Sequence, residues 1–141
     1  MANARKRSNC HRGDAHNPVT VLDLPRHFCG DVSRFSWLRS GMLRTVSIAA
    51  AAEMMPALAR ISVAGVSGAG KSTLSQKLSK RHGLHYVSLD RDMRWLPRWQ
   101  VRDRQQQRRL HDGFVLQDRW IIDGTNISFM DTRLPRSDLL I

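Results

Sequence analysis

The chain is poor in several things at once. Cysteine occurs twice, at Cys10 and Cys29, and neither stands at zinc-site spacing from His11, His16 or His27. Both are read as free thiols of a reducing compartment. Glutamate occurs once, at Glu53. No apolar run reaches the length needed to cross a bilayer as a helix, which excludes a helical membrane protein of the ordinary kind. The nearest thing to a targeting segment is residues 42–59, around Ile48-Ala49-Ala50-Ala51-Ala52. It is internal, interrupted by Glu53 and continuous with the first strand, which argues against export. The cytoplasm is the expected compartment, because ATP-dependent chemistry needs the ATP pool.

The near-absence of glutamate leaves the balance strongly basic, with a formal net charge of +11 over 141 residues. That charge fits phosphate-bearing partners and does not choose among nucleotides, nucleic acid or an anionic surface. The basic residues are scattered, Arg5-Lys6-Arg7 being the longest uninterrupted run, so a solvated cationic surface is favoured over a dedicated nucleic-acid stripe. The length has room for one modest domain.

The chain divides near residue 59. Residues 1–59 have no clear periodicity, and Asn, Gly and Pro interrupt each incipient element. This stretch is read as a poorly ordered or spurious extension, with Met42, Met54 and Met55 as alternative starts and a short helix allowed over Thr45 to Ala52. Residues 60–141 alternate strand and helix. Strands are expected at Ile61–Ala64, His85–Leu89, Arg119–Asp123 and Leu139–Ile141, with helices over Lys71–Arg81 and Asp103–Gln117. Leu74 and Leu78 should face the sheet from the first helix, and Leu110, Phe114 and Gln106 from the second. Such alternation implies an α/β fold with a parallel sheet flanked by helices and right-handed crossovers.

One segment names a ligand. Gly65-Val66-Ser67-Gly68-Ala69-Gly70-Lys71-Ser72 is G-x-x-x-x-G-K-S, set between the first strand and the first helix. The backbone N–H groups from Gly65 through Ser67, Gly68, Ala69, Gly70, Lys71, Ser72 and Thr73 would cradle the phosphates of ATP. Lys71 would reach the β- and γ-phosphates, and the Ser72 hydroxyl would meet Mg²⁺. An ordinary glycine-rich turn is the rival reading.

In an open parallel sheet the ligand crevice lies beyond the carboxyl ends of the strands. Asp123 ends the third strand there and is the candidate Mg²⁺ partner opposite Ser72, with a turn cap as the alternative. Asp90 ends the second strand. It reads equally as a catalytic group accepting a hydrogen bond from an acceptor hydroxyl and as a helix cap; for Asp92 the cap is favoured. Asp118 and Asp138 lie at the opposite strand ends and are read as structural or solvated. Between residues 91 and 104, arginines interleave with two tryptophans. Arg91, Trp95 and Trp99 would bind the acceptor by clamping phosphate and stacking a ring, or else form a small flap with its own core. Arg133 would join them or pair with Asp131 and Asp138.

These stretches, with Tyr86-Val87-Ser88-Leu89-Asp90, Trp95-Leu96-Pro97-Arg98-Trp99, Trp120-Ile121-Ile122-Asp123-Gly124-Thr125-Asn126 and Arg133-Leu134-Pro135-Arg136-Ser137-Asp138, fall in one order. In it residues 60–141 resemble the adenylate-kinase-like P-loop proteins labelled topology modulation proteins. The resemblance implies a nucleoside-kinase-like Rossmannoid P-loop NTPase fold and ATP binding. It also implies that the chain ends before a lid with catalytic arginines, a fifth strand and a last helix. Arg98 stands where a glycine is usual. The function expected is transfer of the ATP γ-phosphoryl to a nucleotide or small-molecule acceptor. The alternatives are a catalytically weak nucleotide-binding module and a DNA-associated protein.

Overall fold

The computed structural model describes residues 19–22 and 43–141. Cys10, Cys29, the three early histidines and Arg5-Lys6-Arg7 lie outside them. The centre is a sheet of four parallel strands, β3 (Arg60–Val63), β4 (His85–Ser88), β7 (Trp120–Asp123) and β8 (Leu139–Leu140), in the spatial order β4-β7-β3-β8. The α/β class and the parallel sheet flanked by helices are therefore as expected, each strand lying within a residue or two of its expected place. β3 sits between β7 and β8, so its continuation emerges mid-sheet.

Two further strands extend the β8 side. β1 (Val19–Leu22) pairs antiparallel with β8, and β2 (Leu43–Val46) pairs antiparallel with β1. The rim of β8 is thus hydrogen-bonded to a segment from early in the chain, which moves the end of the sheet from β8 to β2. After β2, Ser47 caps α1 (Ile48–Met54) by accepting the Ala50 N–H at 3.2 Å. Ala51, Met55 and Leu58 bury against the sheet. The expected boundary at residue 59 falls between these core residues and β3.

β7 shows why the sheet needs helices on both faces. All four of its residues are buried. Ile121 packs with Ile61, Val63, Leu84 and Leu139 on the face covered by α1 and α2 (Lys71–His82). Trp120 and Ile122 pack with Val87, Leu89, Met93 and Val115 on the other face, under α3 (Arg104–Val115). Strands buried on both faces read as continuous apolar runs rather than alternations. Each fully buried large side chain contributes about 1.5–3 kcal/mol before entropy.

The helix faces differ from expectation. On α2 Ser75 is buried and Leu78 packs half-buried against the core as expected, while Leu74 is 39 % exposed. A small side chain lets the helix approach the sheet closely. On α3 the buried pair is His111 and Val115, Leu110 and Phe114 flank it half-buried, and Gln106 is exposed. The stripe is turned by one residue because His111 stacks on Phe129, ring centroids 4.8 Å apart.

Candidate functional site: the loop between β3 and α2

β3 ends at Val63 and the chain turns through an exposed loop, residues 65–70, into α2. Gly70 is the residue before the helix and has φ 79°, a conformation open to glycine at little cost. The first N–H groups of α2, on Lys71, Ser72 and Thr73, have no carbonyl four residues back within the helix. They therefore face the loop with the positive end of the helix dipole behind them. The Lys71 side chain lies back over the loop, its Nζ donating to the Val66 carbonyl at 2.6 Å.

A second segment holds this loop in place. Parallel pairing sets Asp123 beside both Val63 and Ser88. The chain then passes Gly124, whose N–H donates to the Val63 carbonyl at 3.0 Å. Gly124 has φ 120°, and a Cβ there would stand 2.8 Å from the Leu89 Cβ, so side chain and backbone both demand glycine. Thr125 follows. Its Oγ1 accepts the Gly65 N–H at 2.8 Å and donates to the Gly65 carbonyl at 2.9 Å. One hydroxyl thus ties both polar groups of the first loop glycine to the end of β7. Nothing local to the sequence gives Thr125 a role. Its chemistry, a short hydroxyl two residues beyond a strand-end acid, gave a signal only once the register was known.

Beside the loop is a cavity of about 750 Å³, within the range of small-molecule sites. Gly65, Ser67 and Lys71 form one wall, and Gly124, Thr125 and Asn126 another. Arg94, Arg102 and Arg104 also line it, and Asp90 is the one acid in the lining. Asp90 is exposed on the turn after β4. Arg102 is fixed by donating Nε–H to the Met93 carbonyl at 3.0 Å, and Arg104 by donating to Ser128 Oγ at 2.6 Å. Four cations against one carboxylate give the cavity an anion-attracting field. Arg94, Arg102 and Arg104 belong to the stretch of arginines interleaved with tryptophans over residues 91–104, where the sequence points to phosphate clamping.

Asp123 is 2 % exposed, and its Oδ2 accepts the Tyr86 hydroxyl at 3.1 Å. Ser72 is exposed on the first turn of α2. A carboxylate and a hydroxyl are hard oxygen donors of the kind Mg²⁺ takes, together with water and phosphate oxygens. Among the described residues no group of three or more His, Cys, Asp or Glu side chains could hold a metal by itself.

Other expected residues are placed elsewhere. Asp92 is a cap: its Oδ2 accepts the Ser88 N–H at 2.8 Å while Ser88 Oγ accepts the Arg91 N–H at 3.4 Å. Burial alone would raise the Asp92 pKa, but the Arg91 guanidinium at 2.6 Å and the Ser88 N–H outweigh it and hold it low. Arg133 is fully buried and does not line the cavity. It donates Nη2–H to the Gly124 carbonyl at 2.9 Å, while Nε and Nη1 have no partner among the described residues. Its expected partners are engaged elsewhere, Asp131 with Arg108 at 3.0 Å and Asp138 with Arg60 at 3.5 Å. Asp138 is structural, its Oδ2 accepting the N–H groups of Ala59 and Arg60.

Arg91, Trp95 and Trp99 belong to a flap. A single irregular helical turn, Leu89–Arg94, leads into a two-stranded hairpin, β5 (Trp95–Leu96) and β6 (Gln100–Val101). Arg98 and Trp99 in its turn both have positive φ, 65° and 58°, costing of order 1–3 kcal/mol each. A glycine at 98 would relieve the first, which gives a physical meaning to the departure noted there.

A family model described as an AAA domain matches residues 61–137, more than half of the chain. The chain belongs to this AAA-domain family. The family is of the P-loop NTPase type, often kinase-like in fold, and supports nucleotide binding by this domain. Domains of this type generally bind ATP with Mg²⁺. Comparison with curated proteins and with solved structures found no match in either. No helix among the described residues is long and apolar enough to cross a membrane.

Proposed function

We propose that this AAA-domain protein is an ATP-dependent phosphotransferase of the adenylate-kinase-like, topology-modulation type, its function carried by residues 60–141 and exercised in the cytoplasm. One observation carries the reading. Lys71 and the phosphate-binding loop open onto the same cavity as Asp90 and three arginines, so a donor phosphate and an acceptor hydroxyl would meet there. Lys71 and the amides from Gly65 to Thr73 hold the triphosphate. Ser72 and Asp123 would hold Mg²⁺, which when bound supplies charge neutralisation on the phosphates. Asp90 accepts the proton of the attacking hydroxyl as the acceptor oxygen bonds to the γ-phosphorus and the bond to the β-phosphate oxygen breaks. Arg94, Arg102 and Arg104 balance the charge of an anionic acceptor.

A second reading is a nucleotide-binding module with little turnover; in either reading an incoming phosphate must displace the Lys71–Val66 contact. Calorimetric titration with ATP–Mg²⁺ beside a phosphoryl-transfer assay separates the two. Transfer to an acceptor supports the kinase; tight binding without transfer supports the module. Lys71→Ala should weaken ATP binding by roughly tenfold or more, the worth of a charge-assisted contact, and abolish turnover. ATP binding unchanged in that variant would remove both readings.

A further inference from the structure

Asp123, the carboxylate proposed to meet Mg²⁺, is held by a contact that metal binding does not itself require. Its Oδ2 accepts the hydroxyl of Tyr86 at 3.1 Å. The register explains how Tyr86 comes to be the donor. β4 and β7 run parallel with Ser88 opposite Asp123 and Tyr86 opposite Ile121. Side chains two residues apart share one face of a strand, about 6.6 Å apart along it, and a phenol leaning along the strand covers that distance. Ser88, directly opposite the acid, is engaged at the start of the flap, its Oγ accepting the Arg91 N–H at 3.4 Å. The ring is restrained as well. Tyr86 packs half-buried against the core cluster that contains Ile61, Val63 and Ile121, and the Arg91 guanidinium lies 5.2 Å from its centroid.

The kind of donor matters. Asp123 is 2 % exposed, and two arginines, Arg91 and Arg133, are near enough for its charge to act on theirs. Neither forms a salt bridge with it among the described residues, Arg91 pairing with Asp92 at 2.6 Å and Arg133 donating to the Gly124 carbonyl at 2.9 Å. A guanidinium on the carboxylate would compete with a divalent cation for the same negative charge. A hydroxyl fixes the plane of the carboxylate through one lone pair of Oδ2 and leaves that charge in place. Carboxylates that meet a metal are themselves oriented by such outer hydrogen bonds. We infer that Tyr86 is a positioning residue for the nucleotide's Mg²⁺: its hydroxyl holds the Asp123 carboxylate in the orientation that faces the cation, and the phenol itself touches neither metal nor phosphate. This role deepens the phosphotransfer reading and rests on it for the presence of the metal.

Tyr86→Phe in the full chain tests this, since it removes one oxygen and keeps the ring; a melting curve verifies the fold. A non-hydrolysable ATP analogue is first titrated in EDTA, where it should bind parent and variant equally. Mn²⁺, a paramagnetic stand-in for Mg²⁺, is then titrated into the complex with protein in excess and followed by EPR. Its affinity should fall about tenfold in Tyr86→Phe, as loss of an outer hydrogen bond to a metal ligand does. Tyr86 is the chain's single tyrosine, so 3-fluorotyrosine gives one ¹⁹F resonance. That resonance should move when Mg²⁺ joins the analogue complex and stay in place in Asp123→Asn. Equal Mn²⁺ affinity in parent and Tyr86→Phe overturns the role of Tyr86 while the nucleotide site stands. So does a resonance that ignores Mg²⁺ in the parent or follows it equally in Asp123→Asn. Weaker analogue binding by Tyr86→Phe in EDTA, matching its loss of Mn²⁺ affinity, also overturns the role, because the phenol then supports the whole site and not the metal. A parent that binds no analogue, with or without Mg²⁺, removes the phosphotransfer reading and this role with it.

Discussion

Arg133→Met is the sharpest test of how the ground beneath the site is balanced. The Arg133 guanidinium is fully buried and has, among the described residues, a single hydrogen bond, to the Gly124 carbonyl, and two unpartnered nitrogens. Burial pulls its pKa well below the usual guanidinium range, to about 10, with the Asp123 charge opposing. That displacement corresponds to roughly 3 kcal/mol against carrying the charge in the fold. Methionine fills similar space without a charge. It gives up a charge-assisted hydrogen bond of about 1.5–3 kcal/mol. The two terms nearly cancel, so Arg133→Met should be as stable as the parent or up to ~1 kcal/mol more so by urea denaturation with an unchanged slope. Below about pH 10 both folded and unfolded chains hold the Arg133 proton, and the comparison is made at pH 8, where His111, whose pKa Arg133 helps to lower, is neutral in both states. A loss of 3–5 kcal/mol, the cost of breaking a true buried ion pair, would refute the argument. It would mean that Asp123 and Arg133 are a tightly coupled pair rather than neighbours.

Three further outcomes are expected. Thr125→Val removes both hydrogen bonds to Gly65 and should weaken ATP binding by about tenfold, whereas Thr125→Ser should restore it; equal titrations for Val and Ser would show that the hydroxyl does not hold the loop. Arg98→Gly should be as stable as the parent or about 1 kcal/mol more so in thermal melts, since positive φ suits glycine. By contrast, Gln100→Gly, at an ordinary extended φ of −78°, should cost about that much. Burial lowers the His111 pKa, with Asp112 opposing and Arg133 reinforcing. Stability should therefore be full above about pH 6.5 and fall as the pH drops from there through the folded value, because the unfolded chain takes the proton first. His111→Phe should flatten that slope between pH 7 and pH 5, and a parent with no slope would contradict the burial argument.

Much of the fold was open to reading because its signals are local. Four apolar runs at α/β spacing set the strands, and Gly83, at φ 63° after Lys80, Arg81 and His82, ends α2 where the sequence indicated. The loop of residues 65–72 was equally legible, since its glycines and Lys71 sit at fixed chain spacing. The helix faces were less so. Ser75 rather than Leu74 turns inward because the distance to the sheet, a property of two elements, decides which side chain fits.

Hydrophobic period and glycine spacing act over a few residues, and they suffice for a parallel α/β domain with a phosphate-binding loop at a strand end. What that loop leans on and faces comes from long-range packing. Thr125, 60 positions away, bonds Gly65, Arg94 and Arg104 converge across one cavity, and Arg133 sinks beneath Gly124 instead of reaching a ligand. These are contacts between distant parts of the chain. Their energies depend on strand order and depth of burial, which no short stretch of residues encodes.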